Sequence, residues 1–405
     1  MVIFGFVLSV ESADSPARIA IVGGGLAGLG TAAHLLLESQ SPITALHVYD
    51  AALPGKGGAS AVAAGLLHPF TPRSKEIWMG QAGYAASVDL LSRVEACTGP
   101  CSTASGLLRL ALSEEQAEEL QSSVDTEVSA VGGSALGSLR QHWLGHEGAC
   151  ERSSAQVGGH GGVWAESALC VDVPKYVQGL WALCQTLAGE GAAQWRLGEV
   201  DSLSDLAQSA DYDAVVIALG SRAPGIVGLE SLPLTPCRGQ NLILSNEVGL
   251  AVPVISGKYL VPTIGDDGTP SLLAGATFEY DSFEQAHRPA EAAAAEEALR
   301  KPLGALLPHV ESERVLGCQA GVRALPPRSH LGYVPIAGKL GGEAGGASCG
   351  PDVWLVGGLG SRGLIHHALI GKATARAVLR REETELPEHV RRLQDKLDAC
   401  AVRPA

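Results

Sequence analysis

The order of apolar and polar positions divides the chain into recognisable segments. Near the start, ARIAIVGGG at 17–25 is a short apolar run ending in glycines. LAGLGTAAHLLLES at 26–39 is rich in Ala and Leu, and ITALHVYD at 43–50 is a second short apolar run. This predicts strand, helix, strand, with uninterrupted apolar strands that suit a parallel sheet covered on both faces. YDAVVIALG at 212–220 predicts another buried strand closed by a tight turn, and residues 352–379 repeat strand, Gly-turn, helix. Between these lie NLILSNEV, KYLVPTI and SLLAGATFEY, which predict antiparallel strands separated by turn residues such as the DDG at 266–268. Residues 112–131 predict an exposed acidic helix, and 132–162, rich in Gly and Ser, a loop. Helices are also predicted from Pro174 to 188 and over 284–307.

The sharpest local signal is Gly23, Gly25 and Gly28, a G-x-G-x-x-G between strand and helix. The first glycine permits the tight turn. The second lets a pyrophosphate approach the backbone, and the third lets helix and strand pack closely. The helix N-terminus offers N–H groups and partial positive charge to phosphates. Asp50 ends the second strand, where a carboxylate accepts from ribose hydroxyls. The motif predicts dinucleotide binding without separating FAD from NAD.

Composition adds limits. The formal net charge is −14, and no dense basic run occurs, which argues against a nucleic-acid partner. Arg380, Arg381, Arg391 and Arg392 are diluted by Glu382, Glu383 and Glu385 and read as a solvated face. The nine cysteines lack zinc-ligand spacing or a CxxC pair, so no metal is expected and reduced, buried thiols in an intracellular protein are. Cys97 and Cys101 are spaced to lie one helical turn apart, with packing the expected reason. The apolar start, MVIFGFVLSV, has no basic residue and is too short to span a bilayer; residues 1–16 read as a disordered leader. No membrane segment is expected elsewhere.

Several blocks in order resemble the D-amino-acid oxidase and glycine oxidase superfamily of flavoproteins. They are the fingerprint with Asp50, GASAVAAGLLHP at 58–69, WRLGEVDSL at 195–203, YDAVVIALG, CRGQ at 237–240, KYLVPT with LLAGATFE, AGVRALPP, and VWLVGGLGSRGL at 353–364. The resemblance implies an α/β plus β fold: a Rossmann-like FAD-binding domain with a parallel sheet, and a smaller substrate domain on a mostly antiparallel sheet. The expected division is 17–95, 166–236 and 326–385 for the cofactor, 96–165 and 237–325 for the substrate, and a C-terminal tail at 386–405. It implies non-covalent FAD held by Gly23, Gly25, Gly28, Asp50, Ala59, Ser60, Ala64, Gly65, Leu66, Val200, Ala218, Gly220, Gly358, Gly360, Gly363 and Leu364.

The implied reaction is oxidation of a C–N bond in a small amine or amino acid by hydride transfer to the flavin, which oxygen or another acceptor reoxidises. Such chemistry needs orientation more than a side-chain base. The resemblance implies a carboxylate clamp of Arg323, Arg362 and Tyr259, with His68 near the flavin, whereas His366 and His367 are expected to serve packing and capping. After Arg323 the sequence departs from the family pattern: PPRSHLGYVPIAG puts Arg328 and Ser329 near an expected Asp and contains a short insertion. Cys318 stands too early for covalent flavin attachment. The second reading is an oxidase that modifies the wobble uridine of tRNA, and a third is a non-catalytic flavoprotein subunit. The expected compartment is the cytoplasm or an organelle such as the chloroplast, and the sequence is compatible with a homo-oligomer.

Overall fold

Apolar strands that alternate with helices build the first layer. In the computed structural model, which describes residues 17–124, 139–200, 202, 211–226, 229–265, 267–341 and 350–391, they form a six-stranded sheet. Its order is β18 (Ile336–Lys339), β19 (Asp352–Gly357), β10 (Ala214–Ile217), β1 (Arg18–Val22), β2 (Ala45–Asp50) and β9 (Ala193–Leu197). All neighbours run parallel except β18, which closes one edge antiparallel to β19. Helices Leu26–Glu38 and Gly363–Arg380 pack on each other and cover one face, burying Ile19, Ile21, Leu29, Leu35 and Trp354 in the main core.

The second layer is an eight-stranded, mostly antiparallel sheet. Its order is β15 (Val315–Leu325), β11 (Thr235–Ser245), β14 (Pro270–Gly275), β13 (Lys258–Ile264), β12 (Val254–Ser256), β5 (Leu107–Leu110), β7 (Gly162–Ala165) and β6 (Gln141–Leu144). A separate core of Leu242, Leu260, Leu272, Leu299 and Leu303 fills the space between this sheet and helix Ala292–Leu306. Two minor sheets complete the fold: β3 (Leu66–Leu67), β8 (Leu169–Val171) and β4 (Ser102–Thr103), and the hairpin of β16 (Arg328–Ser329) and β17 (Gly332–Tyr333).

Several expectations are corrected. The segment 132–162 is not simply a loop, because its described part contains β6 and helix His146–Ser153. There Ala149 and Val157 bury into the second core, and glycines alone did not decide the structure. The helix expected over 284–307 breaks into Phe283–Ala286 and Ala292–Leu306. Pro289 lies in the break, and a proline disfavours helical geometry in the residue before it. Cys97 and Cys101 do not share a helical turn, since helix Gly80–Thr98 ends at Gly99. The acidic helix spans Glu114–Val124, and the rest of its expected length lies outside the described residues. So do the leader at 1–16, Arg392, Cys349 and Cys400. The segment after Arg323 where an insertion is expected forms the β16–β17 hairpin.

Candidate functional site

The carboxyl ends of the parallel strands open onto a cavity of about 1190 Å³. Ligands of open α/β sheets sit at this edge. The strands end there in Gly23 (β1), Asp50 (β2), Val200 (just past β9), Ala218 and Gly220 (β10) and Gly358 (β19), all on the cavity wall. Helix Leu26–Glu38 starts at the wall with Gly25 as its N-cap, and helix Gly363–Arg380 starts beside Gly360. The segment with Ala59, Ser60, Ala64, Gly65 and Leu66 runs along the same wall.

The glycine turn is built for close approach. A Cβ on Gly28 would lie 1.8 Å from the carbonyl oxygen of Gly23, so the third glycine sets the contact of helix and strand. Gly28 itself packs behind the wall instead of lining it. The Asp50 carboxylate accepts from the N–H of Gly24 at 2.7 Å and of Ala52 at 2.8 Å. A carboxylate has about four acceptor positions, so room remains for hydroxyl donors. The Ser60 hydroxyl accepts from the Leu26 N–H at 3.1 Å and ties the lining segment to the helix start. Two helix N-termini, a turn without side chains and a cavity larger than the ~300–1,000 Å³ of ordinary small-molecule pockets fit an extended dinucleotide.

The eight-stranded sheet forms the opposite wall, and its register decides which side chains face the cavity. Arg109 pairs with Ile255, Ile255 with Tyr259, Tyr259 with Gly275, and Gly275 with Asn241. Partners directly opposite on adjacent strands share a face, so this row points one way. Further along β11 and β15, Gly239 pairs with Gly321 and Cys237 with Arg323, on the same face by the two-residue period. Gly275 is open because a Cβ there would lie 2.2 Å from Asn241 Oδ1 and 3.0 Å from the Tyr259 hydroxyl. Across that gap Tyr259 donates to Asn241 Oδ1 at 2.6 Å, while Asn241 Nδ2 donates to the Val62 carbonyl at 2.9 Å. The Val62 contact fixes which way the amide points. Burial pushes the Tyr259 hydroxyl up to about 12, so it stays protonated.

Arg323 lies with its guanidinium 5.0 Å above the ring of Phe278, and Lys258 stands 5.1 Å from the same ring. Among the described residues Arg323 has no carboxylate partner; its guanidinium lies beside the Tyr259 hydroxyl and makes a long contact, 3.9 Å, to Cys237 Sγ. Arg362 caps helix Gly363–Arg380 at its positive end, and burial lowers its pKa. His68 accepts from the Phe70 N–H at 3.2 Å through Nδ1. Burial first, then the charges of Arg109 and Arg362, push its pKa down to about 3, so the ring is neutral at ordinary pH. The carboxylates on the cavity wall among the described residues are Asp50 and Glu199, both at the ends of the parallel strands. The wall made by the antiparallel sheet is therefore cationic.

The pattern of the FAD dependent oxidoreductase family (DAO) matches residues 18–377. The chain belongs to that family. Its cofactor is FAD. This flavoprotein is 26% identical over 401 residues to the tRNA 5-methylaminomethyl-2-thiouridine biosynthesis bifunctional protein MnmC of Delftia acidovorans, a match covering 90% of this chain and 58% of that protein. The flavoprotein thus spans little more than half the length of that relative. Among solved structures it is similar to glycine oxidase from Geobacillus kaustophilus, with TM-score 0.67, 20% identity, and coverage of 91% of this chain and 96% of that one. Iminodiacetate oxidase from Chelativorans sp. BNC1 gives TM-score 0.66, 19% identity, and 91% and 97% coverage.

Every site residue expected from the flavoprotein's sequence lines the one cavity except Gly28. Gly25 and Gly360, far apart in sequence, meet there. Tyr259 differs from expectation in that its hydroxyl proton is already given to Asn241. His367 serves packing as expected: its Nδ1 donates to the Leu364 carbonyl, and its Nε2 accepts from Tyr176. Cys318 does not line the cavity. Sequence reasoning missed Asn241, Lys258 and Arg109. The signal for Arg109 was present, as a single charge inside the apolar run LLRL.

Proposed function

We propose that this flavoprotein oxidises the C–N bond of a small amine or amino acid that carries a carboxylate. The observation that carries the reading is Arg323, a guanidinium on the cavity face of the antiparallel sheet with no carboxylate partner among the described residues. A planar fork of this kind binds carboxylate through two parallel hydrogen bonds. Gly239 leaves the space it occupies, and the ring of Phe278 holds it in place. Arg362 adds positive charge from a helix start on the facing wall. His68, held neutral at ordinary pH by its burial, acts as a shape and hydrogen-bonding group.

Bound FAD supplies the acceptor for the hydride that leaves the carbon beside nitrogen. The chain would hold it with Gly23, Gly25, Asp50 and Ser60 at one end, and with Gly65, Gly358, Gly360 and Gly363 further along the cavity. Residues 17–95, 166–236 and 326–385 would form the cofactor unit, and 96–165 with 237–325 the substrate unit. Binding without a covalent link agrees with the position of Cys318 off the wall.

A second reading, oxidation of a modified wobble uridine in tRNA, draws on Phe278 and Tyr280, which are 52% and 64% exposed. Phe278 is on the cavity wall, and an exposed ring there offers a surface for stacking a base. A non-catalytic role is disfavoured by the open cavity and by an Arg323 without a carboxylate partner among the described residues. The test is anaerobic mixing of the FAD-loaded protein with a panel of carboxylated amines. Bleaching of the flavin by members of the panel supports the reading. No bleaching by any amine, together with bleaching by modified tRNA, would transfer it to the second.

A further inference from the structure

We propose that Arg109 binds a second acidic group of the substrate, so that the substrate is an amine carrying two carboxylates. The inference rests on the reading of the cavity as an amine-oxidising site.

Arg109 sits in the middle of β5 between Leu108 and Leu110, and only 7% of it is exposed. A buried cation without a counter-charge is costly, and folded chains normally pair it. No ion pair or hydrogen bond engages this guanidinium among the described residues, although the same chain pairs its buried Arg238 with Glu279 at 2.6 Å. The guanidinium instead lines the cavity. Burial lowers its pKa to about 10, which leaves it charged at neutral pH.

Its place in the register separates it from the first clamp. From Tyr259, Arg109 lies two strands away through Ile255, a backbone distance of about 10 Å at ~4.8 Å per strand. Arg323 lies three strands from Tyr259 on the other side, on β15. The Arg323 guanidinium lies over Gly239 of β11, on the Asn241 side of Tyr259, whereas Arg109 stands on β5 on the other side, so the two approach a ligand from different directions. Arg109 belongs with His68 and Arg362: the charges of both arginines reach the His68 ring. Among the described residues nothing acidic lines this part of the wall, since Asp50 and Glu199 lie at the ends of β2 and β9. Two separated cationic poles without protein anions match a molecule with two separated anions. The amine would lie between them.

Two measurements on the FAD-loaded protein test this. In the first, non-oxidisable acids are titrated and binding is read from the shift of the flavin absorption band. The series runs from malonate through succinate and glutarate to adipate, each beside the monocarboxylate of the same length. The expected result is that the best dicarboxylate binds at least about tenfold tighter than its partner, as one added charge-assisted contact gives. Arg109→Met brings the pair within about twofold, and Arg109→Lys falls between. Equal binding of mono- and dicarboxylates by the unaltered protein overturns the proposal, and that comparison needs no variant. A preference that survives in a folded Arg109→Met protein also overturns it. In the second measurement, N-alkylglycines are compared with N-carboxyalkylglycines of the same length by anaerobic flavin reduction. A dicarboxylate preference in kcat/KM supports the proposal. Tight dicarboxylate binding that needs Arg109, without reduction by any amine, supports the second acid site and refutes amine oxidation alone.

Discussion

Gly239→Ala separates the clamp from the fold in one atom. The added Cβ would lie 2.6 Å from Nη2, 2.7 Å from Nη1 and 2.9 Å from Cζ of Arg323, so the guanidinium must leave its position. The atoms met are the far end of a flexible side chain. Stability should therefore change by no more than about 1 kcal/mol, within the ordinary range for a substitution that creates no cavity and breaks no core contact. The effect on the proposed carboxylate contact is larger. A hydrogen bond to a charged group contributes about 1.5–3 kcal/mol, and displacing the fork loses its two-point geometry. This predicts a fall in kcat/KM for a carboxylated amine of roughly 10- to 150-fold, with FAD content and thermal midpoint nearly unchanged. The assay is stopped-flow flavin reduction over a substrate series, with a melting curve and a flavin spectrum as controls. A Gly239→Ala protein that keeps kcat/KM within about twofold would show that the position of Arg323 does not matter to turnover.

Arg323→Ala should weaken turnover of carboxylated amines by about a hundredfold or more, and Arg323→Lys should rescue only part, because the ammonium keeps the charge and loses the fork. Flavin reduction rates in the three proteins check this; loss of FAD from the variants would make the arginine structural. Gly28→Ala should give protein that does not retain FAD, since its Cβ would meet the backbone oxygen of Gly23 at 1.8 Å and push the helix from the strand; absorbance at flavin wavelengths after gel filtration decides it. Acid should destabilise the fold through His34, His366 and His367, whose pKa values burial lowers to about 4. Here the unfolded chain takes up protons first, near pH 6.5, and the folded chain only near 4, so stability is full above pH 6.5 and declines as pH falls toward 4. Denaturant melts at pH 7 and pH 5 should show lower stability at pH 5, and a steeper decline than in a His366→Leu variant, whose native counterpart leaves both ring nitrogens without partners among the described residues.

Much of the cofactor half could be read from the sequence because its chemistry is local. A turn that must have no side chains announces itself as Gly23, Gly25 and Gly28, and the apolar strands around it have one stable use. The resemblance carried Arg323, Arg362, Tyr259 and His68 to the same cavity. Asn241 was not found, because its importance comes from a register across Gly275 that no local pattern encodes. Arg109 was missed for the reverse reason. Its run LLRL reads as an ordinary buried strand, and only the tertiary structure shows that the charge lines the cavity with no ion-pair partner among the described residues. The segment 132–162 misled because glycine content dominates the eye, whereas a few apolar residues such as Ala149 and Val157 suffice to anchor a strand and helix.

The order of the parallel sheet has a consequence for how the protein comes into being on the ribosome. β1 and β2 emerge first, yet β1 lies between β2 and β10, and β10 needs β19, whose residues begin at Asp352. All eight strands of the antiparallel sheet have been synthesised by Leu325, before this last parallel strand exists. The nascent chain therefore holds a half-built nucleotide cleft, with an apolar strand edge bare, until Asp352–Gly357 emerges, the condition in which long-range pairing is slow and association with other chains competes. Capture of FAD must follow emergence of Asp352–Gly357. Flavin supply should accordingly govern how much protein accumulates in a folded state as well as how active it is.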